Sequence, residues 1–471
     1  MLFIIITLSE KLILKRHLNV SMGVLNTSIH VIFYYNKLTR YSVNPLIAAV
    51  DRAIGNGVAV SLVEDLSELP AKATSIRLRG EICIVAFSLL TTMLTDSNFL
   101  ASLIEVIKNL KSKKCITIAG GPHATGDPLG SLELLGFDYV FIGEGEESFV
   151  EFLRTIRDEG DVKSVKGIGF IEDGKFVFTG ARPRIDLDKF DPFPYWRGIF
   201  QPIEVTRGCP YGCFYCQVSY VHGFQYRHRS VERIVYYVGE FLKRGGRDVR
   251  FITPDSMSYG LEKPSRIPRV DLIEQLLDAV KTLCSKYGGR VFYGTFPSEI
   301  RPEHVTEEAM RTLSKYVSNS KVIIGAQSGS ERILKLIHRG HSVEDVKNAV
   351  EVALKYSFTP DVDIIIGFPG ETEEDMKYTL ELADWVVRRG GRIHVHYFTP
   401  LPGSPLGALR PTPIPSTVRR QIARIIGSHK GYGNWLNQEK MAWRIVELRE
   451  KGIIQTRRVM VQSARFHQLV S

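Results

Sequence analysis

Three of the chain's six cysteines sit in one ten-residue stretch, "RGCPYGCFYC" at 207–216, where Cys209, Cys213 and Cys216 are spaced CxxxCxxC. Thiolates at that spacing on a single loop can converge on one metal or cluster, and Gly208 and Gly212 permit the turns that convergence needs. Three protein ligands leave one iron of a cubic cluster open, and an open iron is a place for a substrate or cofactor to bind. A structural zinc site instead closes with a fourth protein ligand, and His222 and His228 both follow a few residues downstream. Against zinc, the spacing departs from the paired CxxC of common zinc modules, and Tyr215 supplies an aromatic where one packs beside a cluster.

The loop must be held by the elements around it. It follows "PIEVTRG", the first of six strand-like runs between about 201 and 400; the others are "DVRFITP", "VFYGTFP", "KVIIGAQSG", "DVDIIIGFPG" and "RIHVHYF". Helical patterns such as "VERIVYYVGEFLKRG" and "VDLIEQLLDAVKTLC" separate them, which predicts a partial βα barrel with functional loops at the C-terminal mouth of its strands. An earlier series, "IHVIFYY", "VAVSLV", "ICIVAFS", "CITIAGG" and "DYVFIG", alternates with amphipathic stretches between about 28 and 155. It predicts a parallel sheet covered on both faces, with ligands beyond the carboxyl ends of the strands. Between the two series, "GIGFIEDGKFVFTG" reads as a hairpin around Asp173-Gly174 and "FDPFPYW" as a proline-punctuated linker.

The motifs at the barrel strand ends identify a family. CxxxCx(aromatic)C on the loop after the first barrel strand resembles the radical S-adenosylmethionine enzymes. "FITPDSMSYG", "VIIGAQSGSERILKLIHRGHS", "DVDIIIGFPGETEEDMKYTL" and "HVHYFTPLPGSP" are similar, in the expected order, to the motifs of the subgroup that holds cobalamin-dependent members and the methylthiotransferases. The resemblance covers about 200 residues and implies a 4Fe-4S cluster on Cys209, Cys213 and Cys216. Its open iron would chelate S-adenosylmethionine, whose reductive cleavage yields a 5'-deoxyadenosyl radical, the protein supplying orientation and exclusion of water. Carried over residue by residue, Asp255 and Ser256 would lie near the methionine amine, and Gln327 and Ser328 near the ribose and methionyl portion. Arg339 is suited to the methionyl carboxylate. The Gly367–Gly370 turn would let backbone approach the adenine, and His396 and Tyr397 finish the sixth strand. Each also has a structural alternative: Asp255 as a helix cap, Arg339 satisfying a helix C-terminus, "GFPG" as a turn alone, and His394 or His396 merely buried.

The first series resembles the cobalamin-binding, Rossmann-like domain that precedes the barrel in many of these enzymes. Ser88-Leu89-Leu90 matches the family's SxL, Gly120-Gly121 its paired glycines, and "FIGEGEESFVEFL", which contains Gly143 and Glu144, its acidic strand-to-helix turn. The resemblance implies that Ser88, Leu90, Gly120, Gly121, Gly143 and Glu144 bind cobalamin. The DxHxxG motif, whose histidine serves as lower axial ligand of cobalt, is absent, and His123 belongs to a turn rather than replacing it. A degenerate domain that only shapes the substrate site is the alternative.

The expected fold is α/β: an extension at 1–27, a cobalamin-binding-type Rossmann-like domain at 28–158, a hairpin and linker at 159–198, a partial (βα)6 radical SAM barrel at 199–408, and a basic helical region at 409–471. Met22 is a candidate start. The last region carries 11 Lys and Arg against 3 Asp and Glu from residue 411 onward, which suits a solvated helical surface or, less directly, a polyanion such as RNA. Cys83, Cys115 and Cys284 lie in apolar sequence and read as buried free thiols rather than a second cluster. The apolar run at 2–8 is too short to span a membrane and lacks the flanks of a signal peptide, and the cysteine pattern is unlike that of a disulfide framework, so a cytoplasmic setting is expected. The functional reading is methylation of an unactivated carbon of an unnamed substrate, with an electron donor as partner. The alternatives are methylthiolation, a ring rearrangement, or a non-catalytic zinc-stabilised RNA-binding protein. Methylthiolation is disfavoured because the N-terminal domain lacks the three cysteines of the methylthiotransferases and no small RNA-binding β-barrel follows.

Overall fold

The computed structural model describes residues 28–455; the expected extension at 1–27 and the end of the basic region lie outside the described residues. The first five strands, β1 (Ile29–Tyr34), β2 (Val58–Val63), β3 (Ile82–Ser88), β4 (Ile116–Gly120) and β5 (Tyr139–Phe141), are parallel and ordered 2-1-3-4-5. Alternate residues of β1 enter opposite cores. Ile32 packs with Leu69, Ile76 and Leu103 on one face, and Val31 and Phe33 pack with Ile47, Phe149 and Phe152 on the other. That two-sided burial explains the unbroken apolar runs of these strands.

The expected hairpin is present, with Asp173 at φ +49° and Gly174 at φ +72°, the left-handed pair that a tight hairpin turn requires. Its strands β6 (Ile168–Glu172) and β7 (Lys175–Phe178) do not stand apart as a linker; β6 pairs antiparallel with β5 and extends the sheet to seven strands.

The second half contains the six expected parallel strands: β8 (Ile203–Glu204), β11 (Asp248–Ile252), β12 (Arg290–Phe292), β13 (Lys321–Gln327), β14 (Thr359–Ile366) and β15 (Arg392–Tyr397). A short antiparallel pair, β9 (Thr206–Arg207) with β10 (Arg227–His228), closes the cysteine loop on itself. The barrel wall is two ladders, 12-11-8 and 13-14-15, joined where Ile300 bridges Ile324 and Ile323 N–H donates to Gly294 O at 2.9 Å. Helices cover the outside. The Glu373–Arg389 helix shows why they stop and start where they do: Thr372 and Asp375 form a reciprocal capping box, and Gly390 ends the helix at φ +101°.

Two expectations need correction. Cys83 and Cys115 are not free but disulfide-paired, with Cα atoms 4.8 Å apart. Each precedes a residue of the Ile84–Ile116 pair of β3 and β4, an adjacency hidden by 32 residues of intervening sequence. Residues 416–455 of the C-terminal region, in turn, are not a solvated tail. After the Ser416–Gly427 helix a seventh parallel strand, β16 (Gly431–Tyr432), joins β15, and the Trp435–Glu450 helix crosses to the other domain, burying Ile445 and Leu448 in the first core. Gln455 then donates its N–H to Asp127 Oδ2 at 2.9 Å. Among the described residues no helix is long and apolar enough to cross a membrane.

Candidate functional site

The cysteine loop folds as its glycines demand. Gly208 (φ +83°) and Gly212 (φ +58°) are left-handed, and a Cβ on Gly208 would stand 2.2 Å from the Gln225 carbonyl oxygen. Neighbouring strand ends pin the loop: Phe214 N–H donates to Ile337 O at 3.0 Å, its carbonyl accepts from Leu406 N–H at 3.0 Å, and its ring stacks on His338. Cys209, Cys213 and Cys216 thereby line one chamber of about 340 Å³ inside the barrel mouth, together with Tyr215, Asp255, Gln327, Arg339 and Tyr397. Burial pushes the Cys209 thiol up to about 11 and the Cys216 thiol up to about 12. They are therefore protonated at neutral pH until a metal displaces the protons, which suits a ligand set better than a nucleophile.

Neither histidine proposed for a closed zinc site reaches the chamber. His228 spends both ring nitrogens, on Thr206 Oγ1 at 2.9 Å and the Leu261 carbonyl at 2.8 Å. His222 lines a different cavity, its Nδ1 3.7 Å from Glu144 Oε1. Neither His222 nor His228 therefore completes a closed site with the three thiols, which line an open chamber, the donor set a site-differentiated cluster requires.

Asp255 lines the chamber but is engaged. Its Oδ2 lies 2.6 Å from His304 Nδ1, and its Oδ1 accepts from Arg301 N–H at 3.1 Å. Burial opposes its charge, but His304 and Arg301 outweigh that and hold the carboxyl below its ordinary value; His304 is raised, burial opposing and Asp255 prevailing. Arg339 donates from Nη2 to Gly325 O at 2.8 Å and Glu299 Oε1 at 3.2 Å, and presents Nη1 3.8 Å from Cys213 Sγ. Its buried Nε has no partner. Gln327, at φ +69° on a bulge of β13, donates to Glu299 Oε2 at 3.3 Å.

Three other expected residues stand behind the wall. Ser256 bonds through its backbone to Glu299 and Tyr293, Ser328 Oγ is 3.1 Å from Thr379 Oγ1, and Gly367 N–H donates to Glu371 Oε2 at 2.6 Å. A Cβ on Gly367 would stand 2.5 Å from the Tyr397 ring, so that glycine seats an aromatic of the chamber wall rather than facing the chamber itself.

Sequence reasoning passed over Glu299, Arg301, Asp363 and Gln438, all of which line the chamber. Charged residues bracketing the apolar Ile300 beside a strand were a usable signal. Gln438 gave none, since it arrives on the Trp435–Glu450 helix from beyond the barrel.

A second cavity of about 250 Å³ opens between the carboxyl ends of the first sheet and the start of the barrel. Ser88, Gly120, Gly121, Gly143 and Glu144 line it, with Phe33, Ala86, Ile118 and Phe141. Leu90 does not; it packs into the first core beneath the Thr91–Thr95 turn. Gly121 is at φ +87°, and a Cβ there would meet Ser88 Oγ at 2.7 Å. Ser88 Oγ itself is buried without a partner. Apolar walls with bare backbone and one orphaned hydroxyl fit the flat face of a macrocycle that carries hydrogen-bonding groups at its edge. His123 is turned away, bonded to Thr91 Oγ1 at 3.0 Å and depressed to about 4 by burial. At the rim, Arg207 meets Glu146 at 2.8 Å and Glu204 at 2.7 Å, while Arg227 pairs with Glu144. This buried network joins the two halves of the molecule.

The cavities are neighbours. Val218 and Ser219 of the five-residue Val218–His222 helix line the cysteine chamber, and Val221 and His222 line the apolar cavity.

Comparison with known proteins agrees with this anatomy. Residues 45–153 match the B12 binding domain model and residues 203–383 the radical SAM superfamily model. An uncharacterized protein of Methanocaldococcus jannaschii is 28% identical over 68% of this chain and 70% of its own. The ribosomal protein uS12 methylthiotransferase of Thermotoga sp. (strain RQ2) is 34% identical, but over 45% of this chain and 46% of that protein; the chain spans under half the length of that relative. Among solved structures, the radical S-adenosylmethionine methyltransferase TsrM from Kitasatospora setae, with cobalamin and a 4Fe-4S cluster bound, superposes at TM-score 0.62 over 81% of this chain and 74% of its own, at 15% identity. The cobalamin-dependent radical enzyme OxsB does so at 0.60 over 93% and 63%, at 13% identity. A radical SAM domain implies a 4Fe-4S cluster and S-adenosylmethionine, and a B12-binding domain implies cobalamin, each matched by a cavity whose lining suits it. Residues 45–153 are thus a B12-binding domain and residues 203–383 a radical SAM domain, and the chain is a radical S-adenosylmethionine enzyme that carries a cobalamin-binding-type domain ahead of its barrel.

Proposed function

We propose that this enzyme methylates an unactivated carbon of its substrate. The observation that carries the reading is the Val218–His222 helix, which lines both cavities and so makes them neighbours; transfer between two bound groups requires such proximity. When bound, the cluster with S-adenosylmethionine supplies radical chemistry and cobalamin carries the methyl group. The chain's own part is holding and positioning. Cys209, Cys213 and Cys216 hold the cluster; Arg339, with its unpartnered Nε, meets the methionyl carboxylate; Gln327 and Tyr215 bound the same chamber. Ser88 donates its free hydroxyl to the corrinoid, over the bare backbone of Gly120, Gly121 and Gly143. The domain limits of the sequence reading are proposed with one change, the hairpin at 168–178 being assigned to the first domain.

Methylthiolation is the weaker reading despite the 34% relative. Of the six cysteines, two are paired, three line the chamber, and Cys284 is buried in the barrel core, which leaves no set for a second cluster.

The test is turnover of protein loaded anaerobically with iron and cobalamin, under a strong reductant, with S-adenosylmethionine deuterated in its methyl group. Formation of both 5'-deoxyadenosine and S-adenosylhomocysteine, with label in an acceptor, supports methylation. 5'-Deoxyadenosine without S-adenosylhomocysteine would overturn it in favour of another radical outcome.

A further inference from the structure

Beyond the cysteines, one other set of metal-ligating side chains converges in the described structure. Asp363 on β14 pairs in register with His394 on β15, and His396 lies two residues on, so strand alternation turns all three to the barrel interior. Asp363 Oδ1 is 3.0 Å from His394 Nδ1, His394 Nδ1 is 3.0 Å from His396 Nε2, and Asp363 Oδ1 is 3.9 Å from His396 Nε2. Asp363 and His396 line the cysteine chamber.

Hydrogen bonding alone serves this cluster poorly. An imidazole nitrogen has one in-plane position, filled by a proton or a lone pair, yet His394 Nδ1 faces two partners at the same distance. A cation answers both. A point equidistant from three atoms with those separations lies about 2.0 Å from each, the zinc–nitrogen and zinc–carboxylate bond length. The rings are also braced: His394 stacks on Tyr432 with centroids 4.3 Å apart and planes at 8°, and Tyr432 OH donates to Asp361 Oδ2 at 3.0 Å.

We propose that Asp363, His394 and His396 form a second metal site, for a divalent first-row cation of the zinc or ferrous type. Two imidazoles and one carboxylate leave coordination positions open, and those positions face the chamber, where an oxygen-donor group of a substrate completes the set. Gln438 tunes the site. Its Oε1 accepts from Tyr397 N–H at 2.9 Å, which turns its amide nitrogen to His396 Nδ1 at 3.1 Å. A metal on His396 Nε2 puts the proton on Nδ1, so the amide must swing away. A glutamate at 438 would accept from both groups at once and strengthen the site, as partners behind metal ligands do.

The experiment uses cluster-loaded protein titrated anaerobically with zinc chloride, with iron and zinc counted after gel filtration and zinc K-edge X-ray absorption recorded. The expected result is one zinc at unchanged iron, with a nitrogen and oxygen shell and no sulfur. His394→Ala should lose that zinc while keeping four irons, and Gln438→Glu should bind it about tenfold more tightly. No retained zinc, sulfur-bound zinc with loss of iron, or zinc undiminished in His394→Ala would each overturn the proposal. Should His394→Ala fail to fold, the wild-type spectrum and the Gln438→Glu titration still decide it.

Discussion

Bare glycine backbone and apolar side chains make up most of the wall of the N-terminal cavity, whereas the barrel chamber a few residues away is walled by three thiols, two arginines, Asp255, Glu299 and Asp363. Holding those groups out of water is costly unless each finds a partner, and one segment beyond β12, residues 299–304, supplies the partners: His304 for Asp255, Glu299 for Arg339, Glu303 for Arg301. The first cavity demands shape and the second demands pairing. Substitutions in the two should therefore fail in different ways.

The largest effect is expected from changing Cys209, Cys213 and Cys216 together to Ala. Iron should fall from four per chain to background and 5'-deoxyadenosine formation should vanish, while cobalamin binding persists; parallel loss of cobalamin would mean that the cavities are not independent. Next comes Asp255→Asn, which leaves buried His304 without its counter-charge and should cost about 3–5 kcal/mol of stability. The pH dependence has a defined sign. Asp255 is lowered, so its contribution is lost as pH falls below the ordinary carboxylate value of 3.8; His304 is raised, so its contribution is complete below 6.5 and fades as pH climbs through its raised value. The gap in melting temperature between wild type and Asp255→Asn should thus be widest between those limits and narrow in alkaline buffer. A gap independent of pH would show that packing, not charge, is what the pair supplies. The smallest effect is Gly121→Ala. At φ +87°, with a Cβ 2.7 Å from Ser88 Oγ, it should weaken cobalamin retention about tenfold, in line with a left-handed strain of about 1–2 kcal/mol, and leave iron content unchanged. Equal loss of both would erase the contrast between the two cavities.

The same contrast explains what the sequence could convey. The strands themselves, the cysteine loop, Asp173-Gly174 and the paired glycines were legible because each depends on neighbours in the chain: alternation, metal spacing, or a left-handed turn. What escaped notice depends on distant partners. Cys83 and Cys115 look like ordinary apolar residues until β3 and β4 lie side by side. Ser256 and Ser328 sit in the right motifs, yet their hydrogen bonds to Glu299, Tyr293 and Thr379 draw them behind the wall. Leu90 matches its motif and nevertheless packs into the core. Residues 409–471 read as a basic surface because their excess of Lys and Arg is obvious, while Ile445, Leu448 and Gln438, which make the contacts, are spread among them.

The Trp435–Glu450 helix bears Gln438 at the chamber and Ile445 and Leu448 in the first core, and it follows every other described helix in the chain. On the ribosome, the sheet and the barrel emerge before the segment that ties them together. The contacts that this helix makes with both halves can therefore form only after both halves have been translated.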